Sequence, residues 1–130
     1  MIDIKKVLVN IDLTPTAIKA VEWGKTIAQL AGAELILYYD MEELEAVGDY
    51  ANLFAFPIDP DLEEKTKEKV KKAFFRYLED FKGNYKYEFI CCGKKKLAEY
   101  IEENQVDLAV LNEKYLSIVS QLPCQVLITK

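Results

Sequence analysis

The sequence predicts one α/β domain, residues 1–130, doubly wound around a small parallel sheet. Three observations carry that expectation. Short runs such as KKVLVNI (Lys5–Ile11) and ELILYY (Glu34–Tyr39) are almost continuously apolar, as strands buried on both faces are. Between the runs lie longer segments with apolar residues at helical spacing. Gly, Pro and Asn punctuate the changes from one pattern to the other.

The elements follow in order. Asp12 ends the first strand, and Thr14-Pro15 predicts a helix start, with a hydroxyl at the N-cap and proline at the first helical position. Ala17, Ala20, Val21, Gly24, Ile27, Ala28 and Ala31 form its apolar stripe, and Gly32 stops it. Glu34–Tyr39 is the second strand, which completes a βαβ crossover and so a parallel pair. Residues 40–59 have no clear period, though Met41–Val47 suits a turn or two of helix. Asp59-Pro60 opens a second helix, with Asp61, Glu63 and Glu64 at its electropositive end. Its stripe runs through Leu62, Thr66, Val70, Ala73, Phe74, Tyr77, Leu78 and Phe81, and Gly83-Asn84 ends it. Tyr85–Cys91 is the third strand, Lys95–Asn104 the third helix and Asp107–Leu111 the fourth strand. Asn112–Leu122 suits one weak helix through Tyr115, Leu116 and Val119, and Cys124–Thr129 is the fifth strand.

Composition narrows the function. A chain of 130 residues that is 51% apolar and 30% charged can bury one core and stay soluble. Its net charge of −5 argues against nucleic acid and anionic membranes as partners. No apolar run approaches the ~20 residues that span a bilayer, and the acidic, strand-like start does not read as a signal peptide. Three cysteines without framework spacing point to reduced thiols and a cytoplasmic location. Histidine is absent, which removes Ser-His-Asp and Cys-His catalysis within one chain. No metal site is expected, and an enzyme is the least favoured class.

Residues 5–39, then Gly93 with LAEYIEENQVDLAVL (97–111), then LPCQVLIT (122–129), resemble in order and spacing the universal stress protein family. The resemblance implies a three-layer αβα sandwich with a five-stranded parallel sheet in the order 3-2-1-4-5, of the adenine nucleotide alpha hydrolase-like type. It also implies a homodimer, often formed through edge strand five, and a role in stress response or regulation. ATP-binding relatives carry a loop of the form G-x2-G-x9-G-[ST] after the fourth strand, where bare amides approach the phosphates. Here only Asn112–Leu122, without a glycine, separate that strand from Pro123, so the loop is deleted rather than substituted. No cofactor is therefore expected, with ATP or AMP as the alternative.

The carboxyl edge of a parallel sheet is where ligands bind. The candidate ligand-binding residues at that edge are Asp12, Thr14, Asn10, Tyr39, Gly93, Lys94, Asn112 and Lys114. Asp12 matches the aspartate that contacts the adenine-bearing half of the nucleotide in ATP-binding relatives; otherwise it only closes its own turn. Lys94, Lys95 and Lys96 oppose a helix dipole, which invites a phosphate or an acidic partner as the reason; the plainer reading is a solvated, poorly optimised helix start. Cys91-Cys92 offers a disulfide, a soft-metal site or a thiol redox function; the plainer reading is one buried thiol and one turn residue. Tyr50, Leu53, Phe54 and Phe56 are expected to cover something, whether their own sheet, a second subunit or the ligand crevice. Three readings compete: a non-enzymatic domain binding a protein or small ligand, an adenine-nucleotide module with a non-standard phosphate site built on Lys114 or Lys94–Lys96, and a thiol redox protein.

Overall fold

The computed structural model describes residues 1–12, 14–41, 61–91 and 93–130. Five strands, β1 (Lys6–Ile11), β2 (Glu34–Asp40), β3 (Tyr85–Ile90), β4 (Leu108–Asn112) and β5 (Gln125–Thr129), form one sheet in the order β3-β2-β1-β4-β5. Every pairing is parallel, with Asn10 beside Tyr38 and Leu8 beside Ala109. The predicted three-layer α/β fold and its strand order are therefore present. Helices α1 (Thr16–Ala31), α2 (Leu62–Leu78) and α3 (Lys94–Glu103) flank the sheet, and a 3-10 helix (Glu113–Gln121) joins β4 to the turn before β5.

Strand alternation splits the core in two. On one face Val7, Val9, Ile11, Leu35 and Leu37 pack with Ala20, Val21 and Ala28 of α1 and Val70 and Phe74 of α2. On the other, Leu8, Ile36, Tyr38, Ala109 and Leu111 pack with Leu97, Tyr100 and Ile101 of α3 and Ile118 of the 3-10 helix. Because β1 lies at the centre, its carboxyl end opens between both layers, and Asp12 follows directly.

Several local expectations need correcting. The segment after β4 is a 3-10 helix whose buried residue is Ile118, while Leu116 is exposed. A 3-10 turn of three residues brings different side chains to the core than the α period does. Helix α2 stops at Leu78 rather than at Gly83-Asn84, because Phe81 folds back, its amide bonding to the Leu78 carbonyl at 3.0 Å and its ring buried. Lys25, which is not among the apolar-stripe residues of α1, is buried and pairs with Asp80 beyond α2 and with Glu22 at 3.5 Å. Expectations for Met41–Val47 beyond Met41, for Asp59-Pro60 and for Tyr50, Leu53, Phe54 and Phe56 fall outside the described residues.

Helix α1 sits very close to the sheet. A Cβ built on Gly24 would lie 2.2 Å from Val9 Cγ2, on a β-branched side chain fixed in the core. Gly24→Ala therefore overpacks the site, at a cost of about 1–3 kcal/mol, against a helix-propensity gain of about 1 kcal/mol. The expected result in urea melts is a lower midpoint for Gly24→Ala, with partial recovery when Val9→Ala is added. A midpoint raised by Gly24→Ala alone would contradict this packing.

Candidate functional site

Asp12 leaves the carboxyl end of β1 with only 4% of its surface exposed. A buried carboxylate is stable only when paired and hydrogen-bonded. The chain supplies that from both sides. The Thr14 amide donates to Asp12 Oδ1 at 2.9 Å, and the Thr14 hydroxyl donates to the same oxygen. Asn112 Nδ2, from the end of β4, donates to Oδ2 at 2.9 Å, and Lys114 Nζ pairs with Oδ2 at 2.9 Å. Because the carboxylate only accepts, the Thr14 proton is committed to it, and Thr16 then donates to Thr14 Oγ1 at 2.8 Å.

This network corrects the role expected of Thr14. Helix α1 begins at Thr16 with Pro15 as its N-cap residue and no side-chain cap, since the Thr14 hydroxyl serves Asp12 instead. Asn112 supplies a cap elsewhere. Its Oδ1 accepts from the Lys114 amide at 3.1 Å and starts the 3-10 helix, while its Nδ2 holds Asp12. One amide orientation satisfies both bonds. Lys114 Nζ also lies 5.2 Å from the Tyr115 ring centroid, within cation–π range.

A second acidic residue closes the neighbouring corner. Asp40, at the end of β2, accepts the Gly93 amide at 3.1 and 3.2 Å. Gly93 has φ 93°, a conformation that favours glycine, and it precedes α3. Its amide, a candidate for ligand contact, thus serves Asp40. Lys94 lines the recess between these groups, whereas Lys96 pairs with Glu99 at 3.4 Å, so the three lysines do not converge on one point.

The recess itself is about 210 Å³, lined by Ile11, Asp12, Tyr39, Asp40, Lys94, Lys114 and Tyr115. That is smaller than the roughly 300–1,000 Å³ of ordinary ligand pockets. Of the sequence candidates, Asp12, Tyr39, Lys94 and Lys114 line it directly, while Thr14, Asn112 and Gly93 hold its acids in place. Sequence reasoning missed Asp40 and Tyr115. Asp40 ends β2 at the same edge as Asp12, a signal that was available. Among the described residues no cluster of three or more metal-ligating acids or thiols occurs. Cys91, exposed after β3, is disulfide-bonded, which corrects the expectation of reduced thiols there; Cys92 is outside the described residues, and Cys124 is a free, half-buried thiol.

Asn10 does not line the recess. It is buried one layer below, on the face shared with Tyr38, its partner in register. The Tyr115 side chain lies beside it. No hydrogen bond of ordinary geometry reaches either polar atom of Asn10 or the buried hydroxyls of Tyr38 and Tyr100, although Tyr115 lies close enough to Asn10, and Glu88 to Tyr100, for each pair to interact. Each such orphan costs about 1–3 kcal/mol. Tyr38 and Tyr100 meet edge to face at 5.2 Å between ring centroids. Burial pushes both phenols well above their ordinary value, with the Asp40 charge adding for Tyr38 and the Glu88 charge for Tyr100, so both remain protonated.

Burial acts to raise the Asp12 pKa, but the hydrogen bonds from Thr14 and Lys114 together outweigh it and hold the carboxyl below its ordinary 3.8. A carboxyl whose folded pKa is depressed adds stability that is complete above about pH 5 and is lost as the pH falls through the folded value. Asp12→Asn should therefore cost about 1–3 kcal/mol at pH 7, and the gap from wild type should narrow below the ordinary carboxylate pKa. Urea melts at pH 7 and pH 3 check this; a gap that stays constant or widens in acid would refute the ion pair.

A family model described as the universal stress protein family matches residues 3–123. No curated protein matches. Among solved structures, the chain is similar to universal stress protein UspA from Lactobacillus plantarum, with TM-score 0.74, 18% identity and 100% of both chains covered. It is also similar to the Archaeoglobus fulgidus universal stress protein in complex with dAMP, with TM-score 0.70, 13% identity, and 99% of this chain and 100% of that chain covered. A third, a universal stress protein in complex with cAMP, gives TM-score 0.68 and 18% identity over 98% of this chain and 97% of that one. At these identities the structural likeness speaks for the fold, and the family match over nearly the whole length goes further: the chain belongs to the universal stress protein family.

Proposed function

We propose that the chain is a non-enzymatic universal stress protein domain that works in the cytoplasm as a homodimer, in stress response or regulation. It binds a small ligand or another protein and takes no nucleoside triphosphate. One observation carries the reading: the Asp12 carboxylate is already saturated by its own chain, with the Lys114 ammonium seated against it. After β4 the chain enters the 3-10 helix at once, through residues that all carry side chains, so no bare amides face a phosphate chain. The absence of histidine from the sequence supports a non-catalytic role. Strand β5 is the last in the sheet and has one edge without a neighbour in that sheet, which supports edge pairing between subunits.

A second reading has specific support. Lys94 and Lys114 both border the recess, and two similar structures are nucleotide complexes, with cAMP and dAMP. A nucleoside monophosphate needs only one phosphate site, which two lysines can supply.

Thermal melting separates the two. Ligand at 100 times its dissociation constant adds about 2.7 kcal/mol of stability. The expected result is no shift with millimolar ATP or AMP. A shift with AMP alone would favour the second reading, and a shift with ATP would overturn the first.

A further inference from the structure

We propose that the outer face of α2 docks an acidic segment of a partner protein, which lays its carboxylates along a row of cations and seats an apolar residue on Phe75. This surface rests on the protein-binding side of the reading above and names the chemistry of that partner.

Helical spacing sets the row. Lys65, Lys69, Lys72 and Arg76 follow one another three or four residues apart, which is one line along a helix. All of them are exposed, while Val70, Phe74 and Leu78 of the same helix are buried. Like charges at this spacing repel, and here the repulsion is repeated along most of the helix. In a chain whose net charge is −5, α2 holds six cations and three acids. Elsewhere Lys5, Lys25, Lys67, Lys96 and Lys114 each form an ion pair. Lys69, Lys72 and Arg76 form none among the described residues, although Glu68 stands one turn before Lys72.

A second observation adjoins the row. Phe75, next to Arg76 and one turn after Lys72, is 51% exposed. Its ring meets Tyr87 of β3 edge to face at 5.9 Å between centroids, so it is held in place. A fixed, half-exposed aromatic ring beside cations has the composition of an interface anchor.

The surroundings select the occupant. By helical position, the exposed acids Glu68 and Glu79 border the row on the Phe75 side. A nucleic acid or an anionic membrane would set its phosphates against these acids and against the net negative charge of the chain. A protein segment can place carboxylates over the cations and neutral residues over Glu68 and Glu79. A second copy fits less well. Its acidic helix α3, with Glu99, Glu102 and Glu103, packs on the opposite face of the sheet from α2, so such contacts run head to tail and do not close in pairs.

The test is amide chemical-shift titration of the full chain. The probe is an alanine-based helical peptide with glutamates at the spacing of the row and one leucine beside them. It should shift the α2 amides, bind with a dissociation constant of roughly 0.1–1 mM, and weaken as salt rises. Lys72→Glu should weaken binding about tenfold while keeping or raising the melting temperature, so that lost binding is not lost folding. Phe75→Ser should weaken it about threefold or more. Lys19→Glu, an equal change of charge on the exposed side of α1, should alter it by less than about twofold. Unmoved α2 amides overturn the proposal, and so does equal binding of a peptide with the same residues in scattered order. Tighter binding of oligouridine or of phosphatidylserine vesicles than of the peptide overturns it too, as does self-association of the chain that Lys72→Glu abolishes. Peptide binding in register together with a melting shift in ATP would uphold this surface and strike only the reading beneath it.

Discussion

Everything at the carboxyl edge depends on how one buried negative charge is neutralised. Asp12 lies at the centre of the sheet, where removing a carboxylate from water is affordable only with several donors in place. Thr14 comes from the same turn, but Asn112 is 100 residues away in sequence and Lys114 lies just beyond it. Both arrive because β4 is the neighbour of β1 and because the chain turns immediately into a 3-10 helix. A longer loop after β4 would carry Lys114 away and leave Asp12 short of a counter-charge. The short connection and the ion pair are thus two aspects of one constraint.

The same constraint separates two kinds of polar residue in the interior. Asp12 and Asn112 have their bonding capacity used by the chain, and they join β1 to β4. Asn10, Tyr38 and Tyr100 sit one layer deeper, where no hydrogen bond of ordinary geometry reaches their polar atoms. A protein of ordinary stability, about 5–15 kcal/mol, feels several such orphans as a real loss.

Much of this was legible in the sequence. Continuous apolar runs gave the strands, helical stripes gave α1 and α3, and the order of elements placed Asp12, Tyr39, Lys94 and Lys114 on one edge. What remained hidden was tertiary. The Thr14-Pro15 pattern is a fair cap signal, yet the hydroxyl had a stronger acceptor in a carboxylate two residues back. Lys25 sits on α1 among residues of mixed exposure, and only the position of Asp80 after α2 explains its burial. A tyrosine in an apolar strand reads as core, and nothing in the sequence tells whether its hydroxyl finds a partner. The period of the segment after β4 was misread because residues 112–122 are too few to reveal whether three or 3.6 residues make a turn.

The contact between Gly24 and Val9 has a mechanical consequence. With helix and strand backbones this near, α1 cannot slide or roll over β1 without driving atoms into one another. The half of the edge that carries Asp12 and Thr14 behaves as a fixed platform. Any displacement at this edge is left to the opposite half, where β4 runs directly into a 3-10 helix with poorer hydrogen-bond geometry.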